Sequence, residues 1–183
     1  AARPPEGLIG EPEWLLAALG LSRCRDGALH ISFSHDNYTA HVGGVQLCLA
    51  LESSALAGQF VDHLHLHPAT PWPVIRPDGA VLPLGVVWNG RNLGLFSVET
   101  ICAALAHLKA RPGNGRRSFA LHSLLGHNVS ETLALLNAAG LKRGYFWLHD
   151  FASLCAGYHL MRDEVADCGA PPAGSAACGI CVF

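Results

Sequence analysis

The sequence contains little charge and no long run of basic residues. Only 14% of its 183 residues are charged, and the formal net charge is −2. No basic run is longer than Gly115-Arg116-Arg117, so the electrostatic footprint of a nucleic-acid-binding protein is lacking. A polybasic membrane-binding segment and an acidic tail are excluded for the same reason.

Long hydrophobic runs are also missing. No apolar stretch approaches the roughly 18–20 residues that span a bilayer, so we expect no transmembrane segment. The first residues lack both the apolar core of a signal peptide and an initiator Met, and the last four, Ile180 to Phe183, include no polar tail. We therefore expect a cytoplasmic protein and a piece of a longer chain. Half of the residues are hydrophobic, enough for one domain with a two-sided core.

Strand and helix patterns alternate from residue 29 onward. The hydrophobic periodicity predicts strands over 28–34, 60–68, 86–89, 118–125 and 144–150, and helices over 45–57, 97–110 and 128–140. We expect Ser97 and Ser130 to cap two of these helices and Gly140 to end the last. Residues 74–85 suggest a hairpin or an irregular excursion, with a turn at Pro77-Asp78-Gly79. The alternation predicts an α/β fold, a Rossmann-like and mostly parallel sheet with helices on both faces.

Residues 1–28 form a separate, peripheral segment in this interpretation, with one short helix over 11–21. The domain itself is expected to cover 29–183 and to include a Cys-rich C-terminal loop.

Polar residues cluster where the predicted strands end. The strand ends carry Ser34-His35-Asp36, His67-Pro68, His122-Ser123 and His149-Asp150. Because ligands of open α/β sheets bind at the carboxyl ends of the strands, these residues are candidate functional residues. The alternative is a set of histidines that only satisfy hydrogen bonds of the fold.

A glycine pair precedes the first predicted helix of the domain. Gly43 and Gly44 stand before Val45, where backbone can approach a ligand closely and free helix N–H groups can hold a phosphate. The pattern is neither G-x-G-x-x-G nor a P-loop. A tight turn packed on the sheet is the competing explanation.

His63, His65 and His67 alternate along one predicted strand and so share a face. Such a row could bind zinc in a catalytic site. Together with His35 and Asp36, it supports an alternative function, a metal-dependent hydrolase. A structural row beneath a helix is the simpler explanation.

Four of the seven cysteines lie near the end of the chain. Cys178 and Cys181 form a C-x-x-C pair, and Cys168 and Cys155 would complete a tetrahedral zinc site. His159 could replace Cys155 as a ligand. Disulfides and free thiols remain open alternatives, and a zinc-stabilised, non-catalytic interaction module is a second alternative function.

For the two mid-chain cysteines we expect a structural role. Cys48 and Cys102 fall inside helical patterns and are predicted to be small buried apolar residues.

The stretches SHDNYTAHVGGVQLCLALESSALA, VDHLHLHP, FALHSLLGHNVSETLALLNAAG and FWLHDFASLC together resemble the N-terminal domain of GT-B retaining glycosyltransferases with a Gly-Gly-Val loop. Some members of that family carry a Cys…Cys-x-x-Cys loop after the His-Asp pair. The resemblance covers roughly residues 29–183. Two departures are Ala156, where the family has Pro after Cys, and the long proline-rich segment 69–85.

The resemblance implies an acceptor-side domain whose partner, a donor-binding C-terminal domain, is absent from this chain. It implies a nucleotide-sugar donor whose diphosphate approaches Gly43 and Gly44, and an unknown acceptor. His149 would touch the transferred sugar and act with Asp150, while zinc at the cysteines would be structural. The isolated chain would then show negligible transferase activity.

Overall fold

A six-stranded sheet forms the centre of the molecule. A computed structural model describes residues 9–24, 26–79, 82–111, 113–152, 154–155, 158–162, 165–172 and 175–180. The helices are α1 (Pro12–Leu19), α2 (Gly44–Gly58), α3 (Val98–Ala110), α4 (Val129–Ala138) and a 3₁₀ helix over Ala176–Ile180. The strands are β1 (Leu29–Phe33), β2 (Asp62–Pro68), β3 (Leu84–Trp88), β4 (Arg91–Phe96), β5 (Arg117–Leu121), β6 (Tyr145–Phe146), β7 (Met161–Arg162) and β8 (Ala166–Asp167).

The strand order of the main sheet is β4-β3-β2-β1-β5-β6. β1 pairs in parallel with both β2 and β5, and β5 pairs in parallel with β6. β3 and β4 add an antiparallel edge beside β2. The predicted mostly parallel, Rossmann-like α/β fold is therefore confirmed.

One face of the sheet carries the apolar core. Ile31 and Phe33 of β1 and Leu64 and Leu66 of β2 are fully buried there, against residues from α1, α3 and α4. Because side chains alternate along a strand, the intervening residues point to the opposite face. Burial of this continuous apolar layer, at about 25 cal/mol per Å² removed from water, is the main stabilising term.

The opposite face is polar and lies under α2. It carries His30 and Ser32 of β1 and the three histidines of β2, all buried. Leu49 on α2 is fully buried, and Ser53 accepts a hydrogen bond from the Tyr38 hydroxyl at 3.0 Å. The sheet thus separates a dry apolar layer from a buried layer of histidine, serine and tyrosine.

The antiparallel edge differs from the sequence prediction. A turn at Asn89-Gly90, with φ of 51° and 82°, connects β3 to β4. Both φ values are positive, as a two-residue hairpin turn requires, and Asn-Gly is the usual pair for it. The predicted hairpin turn at Pro77-Asp78-Gly79 is not the sheet hairpin, and β4 was not predicted.

Two further boundaries are corrected. Asn128, not Ser130, caps α4, because its side-chain oxygen accepts from the Glu131 backbone N–H at 2.9 Å. The predicted strand over 144–150 has only two ladder residues, followed by one more bond from Trp147 N–H to the Leu121 carbonyl. His149 and Asp150 therefore lie in a loop beyond the strand.

α1 belongs to the apolar layer. Its residues Leu15 and Leu19 are at most 1% exposed and pack in the core. The boundary at residue 28 stays a prediction, although the segment before it contributes to the core of the domain. Over the described part of the chain, every helix is too short or too polar to cross a membrane.

Candidate functional site at the carboxyl edge of the sheet

The topology of the sheet reverses between β1 and β5. From β1 the chain passes through α2 to β2 on one side, and it later reaches β5 on the other side through α3. Ligands of open α/β sheets bind outside the carboxyl ends of the strands at such a switch point. His35 and Asp36 follow β1 at this point, and His122 follows β5.

α2 begins beside this edge with an uncapped first turn. Its N-cap residue, Gly43, has extended backbone, and no side chain caps the helix. The first backbone N–H groups of an α-helix have no acceptor within the helix, and they carry the positive end of its dipole. The start of α2, where Gly44 is exposed and Val45 half-buried, therefore offers donors for an anionic group.

The two glycines have different surroundings. A Cβ atom at Gly43 would lie 2.5 Å from the Gln46 side-chain oxygen, so this position is restricted by close packing. A Cβ atom at Gly44 would meet nothing within 4 Å. Open space is therefore present directly at the first turn of α2, whereas a side chain at position 43 would require the Gln46 side chain to move.

The loop after β1 is built around Asp36. Its Oδ1 atom accepts from the Asn37 backbone N–H and lies 2.7 Å from Nδ1 of the exposed His41. His35 lies 3.2 Å from the Gln46 amide nitrogen, which ties this loop to α2. Asp36 thus holds the loop together, and its role toward substrate stays a prediction.

A line of polar side chains runs from α2 to the surface. Glu52 Oε2 lies 3.2 Å from His122 Nε2, and His122 Nδ1 lies 3.1 Å from His149 Nε2. His30 reaches the other oxygen of Glu52 at 3.4 Å. His122 is 2% exposed, whereas His149 is exposed. Both linked histidines were predicted from the sequence as candidate functional residues, but the half-buried Glu52 carboxylate that joins them to α2 was not.

Glu52 is ionised in this setting. Burial disfavours its charged form, but hydrogen bonds from His122 and His30 and their attraction outweigh burial and hold the pKa of Glu52 well below its usual range. The inward position of Glu52 could have been inferred from the sequence, because Glu52 lies one turn after Leu49 on the same face of the helix.

Trp147 stacks on the two linked histidines. Its ring lies 6.1 Å from His122 and 6.3 Å from His149, with interplanar angles of 22° in both cases. The two histidine rings are nearly parallel, at 10°. Trp147 is half exposed, so the stack presents a flat aromatic surface beside the site. Sequence reasoning missed this residue, although an exposed tryptophan next to a His-Asp pair was a usable signal.

In the described structure, Asp150 makes no hydrogen bond to the ring of His149. Its two oxygens accept from the Ser123 hydroxyl and from the Ala152 backbone N–H, each at 2.9 Å. Asp150 therefore ties the loop after β6 to the end of β5. The ring of His149 is positioned by His122 instead.

The histidine row of β2 is held by hydrogen bonds of the fold. Ser32 bridges His63 and His65, at 2.7 and 3.2 Å, and His65 also reaches the Asp36 carbonyl at 3.1 Å. Burial lowers the pKa of His63 to about 3 and that of His65 well below its usual value. In the described ranges, no group of three or more His, Cys, Asp or Glu side chains could hold a metal ion. The row thus provides no metal site for the hydrolase alternative.

The C-terminal cysteines are only partly described. Cys155, Cys168 and Cys178 are half-buried free thiols, and Cys181 lies outside the described residues. The three described thiols do not form a metal-binding group, so the four-cysteine zinc site stays a prediction. The mid-chain expectation was partly wrong, because Cys48 is exposed, whereas Cys102 packs half-buried against the core.

Comparisons with known protein families, curated proteins and solved structures find no match to this chain.

Proposed function

We propose that the chain is the acceptor-side half of a GT-B glycosyltransferase, which transfers a sugar from a nucleotide-sugar donor at the β1/β5 switch point. The observation that carries this proposal is the placement of an uncapped helix start and the His122–Trp147–His149 stack around one switch point. His35, which follows β1 at this switch point, lies 3.2 Å from the Gln46 amide nitrogen near the start of α2.

The helix start and the aromatic stack each suit one portion of a nucleotide sugar. The diphosphate is an anion, and the first turn of α2 offers backbone donors with open space at Gly44. The negative charge that develops on the leaving diphosphate is stabilised by the same preorganised dipoles. His149 is exposed at the rim and can hydrogen-bond a sugar hydroxyl. The full transferase requires a second domain to hold the nucleotide, so the isolated chain is expected to bind weakly and turn over negligibly.

Other properties in this proposal rest on the sequence alone. These are the cytoplasmic location, the domain range 29–183 and a structural zinc ion. No step of the proposed chemistry depends on zinc.

A glutamate at position 44 tests the proposal. The substitution Gly44→Glu fills the open space with a negative charge, while a carboxylate in the first helical turn is compatible with the helix dipole. We expect loss of binding of nucleotide sugars, measured through the fluorescence of the chain's tryptophans, including Trp147. The free energy of unfolding should not decrease.

The matched control is Gly58→Glu, the same substitution at the other end of α2, where a Cβ atom also meets nothing within 4 Å. It should leave binding unchanged. Equal effects of the two substitutions on binding, or binding by neither the original chain nor the control across uridine, guanosine and adenosine diphosphate sugars, would contradict the proposal.

A further inference from the structure

We infer that Glu52 and His122 are positioning residues that fix the ring tautomer of His149, so that its Nδ1 atom carries no proton and can accept a hydrogen bond. The inference concerns which of two nitrogens carries the proton. It follows from the order of donors and acceptors along the three side chains, and it holds whatever substrate the site takes.

The order begins at the carboxylate. An ionised carboxylate can only accept hydrogen bonds, and Glu52 lies 3.2 Å from Nε2 of His122. The proton of His122 must therefore sit on Nε2, because an unprotonated nitrogen facing the carboxylate would leave two acceptors in contact. Such a contact is costly because the His122 ring is only 2% exposed and gains little compensation from solvent.

The next step follows from the chemistry of imidazole. A neutral ring carries one proton, so a His122 ring that is protonated at Nε2 has an unprotonated Nδ1. This Nδ1 atom lies 3.1 Å from Nε2 of His149. The hydrogen bond then requires His149 to donate from Nε2, which leaves the Nδ1 atom of His149 without a proton.

The ring of His149 lies where a ligand would approach. His149 is exposed beside Trp147 at the carboxyl edge of the sheet, and His122 is the partner that the structure gives its ring. Burial and the neighbouring His122 both lower the pKa of His149, which favours its neutral form. An acceptor at this place suits a hydroxyl group of a carbohydrate or another polyol.

The arrangement also provides a path for a proton. When a hydroxyl gives its proton to Nδ1 of His149, the Nε2 proton of that ring can move to Nδ1 of His122. His122 then carries both protons and a positive charge directly beside the Glu52 carboxylate, which stabilises it. The path needs no additional reactant, and the hydroxyl oxygen keeps its electron pair.

Nitrogen NMR of the histidine rings in the chain itself tests the inference. At pH 9, imidazoles with the ordinary pKa of about 6.5 are neutral, and long-range proton–nitrogen correlations distinguish the two ring tautomers. We expect His149 to carry its proton on Nε2 and to show a single tautomer. A His149 ring protonated on Nδ1, or an even mixture, would overturn the inference, and this measurement needs no variant.

The variant Glu52→Gln separates positioning from structure. A glutamine has nearly the same shape but can either donate to or accept from His122. We expect loss of the single tautomer of both His122 and His149, with the dispersion of the backbone spectrum retained. An unchanged His149 tautomer in a folded E52Q chain would show that the carboxylate does not set it.

His30→Gln is the matched control. The substitution removes another buried histidine, whose Nε2 atom lies 3.4 Å from Glu52 Oε1. This histidine is not on the path from Glu52 to His149. The tautomer of His149 should persist in this variant, and its loss would show that general loosening, not the donor order, explains the E52Q result. Nucleotide-sugar binding is measured separately, so the failure of the proposed function and the failure of this inference remain distinguishable.

Discussion

At the scale of single residues, Phe60 is the clearest case of backbone strain beside α2. The helix ends with bonds from Phe60 N–H to the Ala57 carbonyl and from Val61 N–H to the Leu56 carbonyl. This pattern places a residue with left-handed backbone just after the helix, a position where glycine is usual. Phe60 occupies it with φ of 55°, and its side chain is 70% exposed, so little packing offsets the strain.

We therefore predict that Phe60→Gly stabilises the fold. Relief of the left-handed strain outweighs the extra freedom of glycine in the unfolded chain, for a net gain of about 0.5–1 kcal/mol. Urea unfolding monitored by circular dichroism measures it. Gln59→Gly is the control, since Gln59 has φ of −98° and should lose stability instead. A loss of stability in F60G would mean that its ring makes contacts worth more than the strain.

At the scale of elements, the N-cap of α4 does more than begin a helix. Asn128 accepts from the Glu131 N–H and donates to the Arg76 carbonyl and to the Asp78 carboxylate, at 3.2 and 2.8 Å. It thereby attaches the proline-rich segment between β2 and β3 to the start of α4. The isolated bridge between Arg76 and Asn128 marks the same contact in the backbone.

Asn128→Ala is expected to lower the free energy of unfolding by about 2 kcal/mol, because it removes a helix cap and a hydrogen bond to the carbonyl of the buried Arg76. Ser130→Ala is the comparison, as Ser130 is exposed within the first turn. Its loss should cost less than about 0.5 kcal/mol. Chemical denaturation of both variants measures the difference, and a larger cost at Ser130 would contradict the assignment of the cap.

The sequence predicted the elements better than it predicted their ends. Periodic hydrophobic patterns were sufficient to predict the helices α2 and α3 and the strands β1 and β2, because burial of one face imposes a fixed period. Ser97 was correctly predicted as the cap of α3. β4 was missed because its glycine and asparagine interrupt the strand pattern, although the Asn89-Gly90 turn was visible in the sequence.

The placement of the candidate residues at the carboxyl edge was predictable from the sequence, but the contacts among them were not. The carboxyl-edge rule selected His35, Asp36, His122 and His149, and the first turn of α2 was recognised from its glycines. The link through Glu52 depends on how α2 lies across the sheet, which a single sequence does not specify. For the same reason Asp150, adjacent to His149 in sequence, proved to bond Ser123 instead.

At the scale of the whole molecule, the buried polar layer makes stability depend on pH. Burial lowers the pKa of His63 to about 3 and of His127 to about 4, and it lowers those of His65 and His67 in the same direction. The unfolded chain binds protons at these histidines near pH 6.5, whereas the folded chain does not. Stability is therefore complete above pH 6.5 and is lost as the pH falls toward 4.

Each such histidine lowers the free energy of unfolding by up to about 1.4 kcal/mol per pH unit in this window. We expect a marked drop between pH 7.5 and pH 5, measured by urea unfolding. The exposed His107 on α3 provides a control, as His107→Gln should leave the slope unchanged. Constant or rising stability on acidification would contradict the neutral, buried state of these rings.

The whole-molecule claim is that one edge of the sheet binds an anionic sugar donor, and mapping where such a ligand binds tests it most directly. The measurement is a titration of the nitrogen-15-labelled chain with nucleoside diphosphate sugars. We expect the backbone N–H signals of Gly44, Val45 and Gln46 and the ring signals of His149 to shift together, and Gly44→Glu to abolish these shifts. Shifts confined to the opposite, amino-terminal edge of the sheet around Arg23 and Arg116 would contradict it.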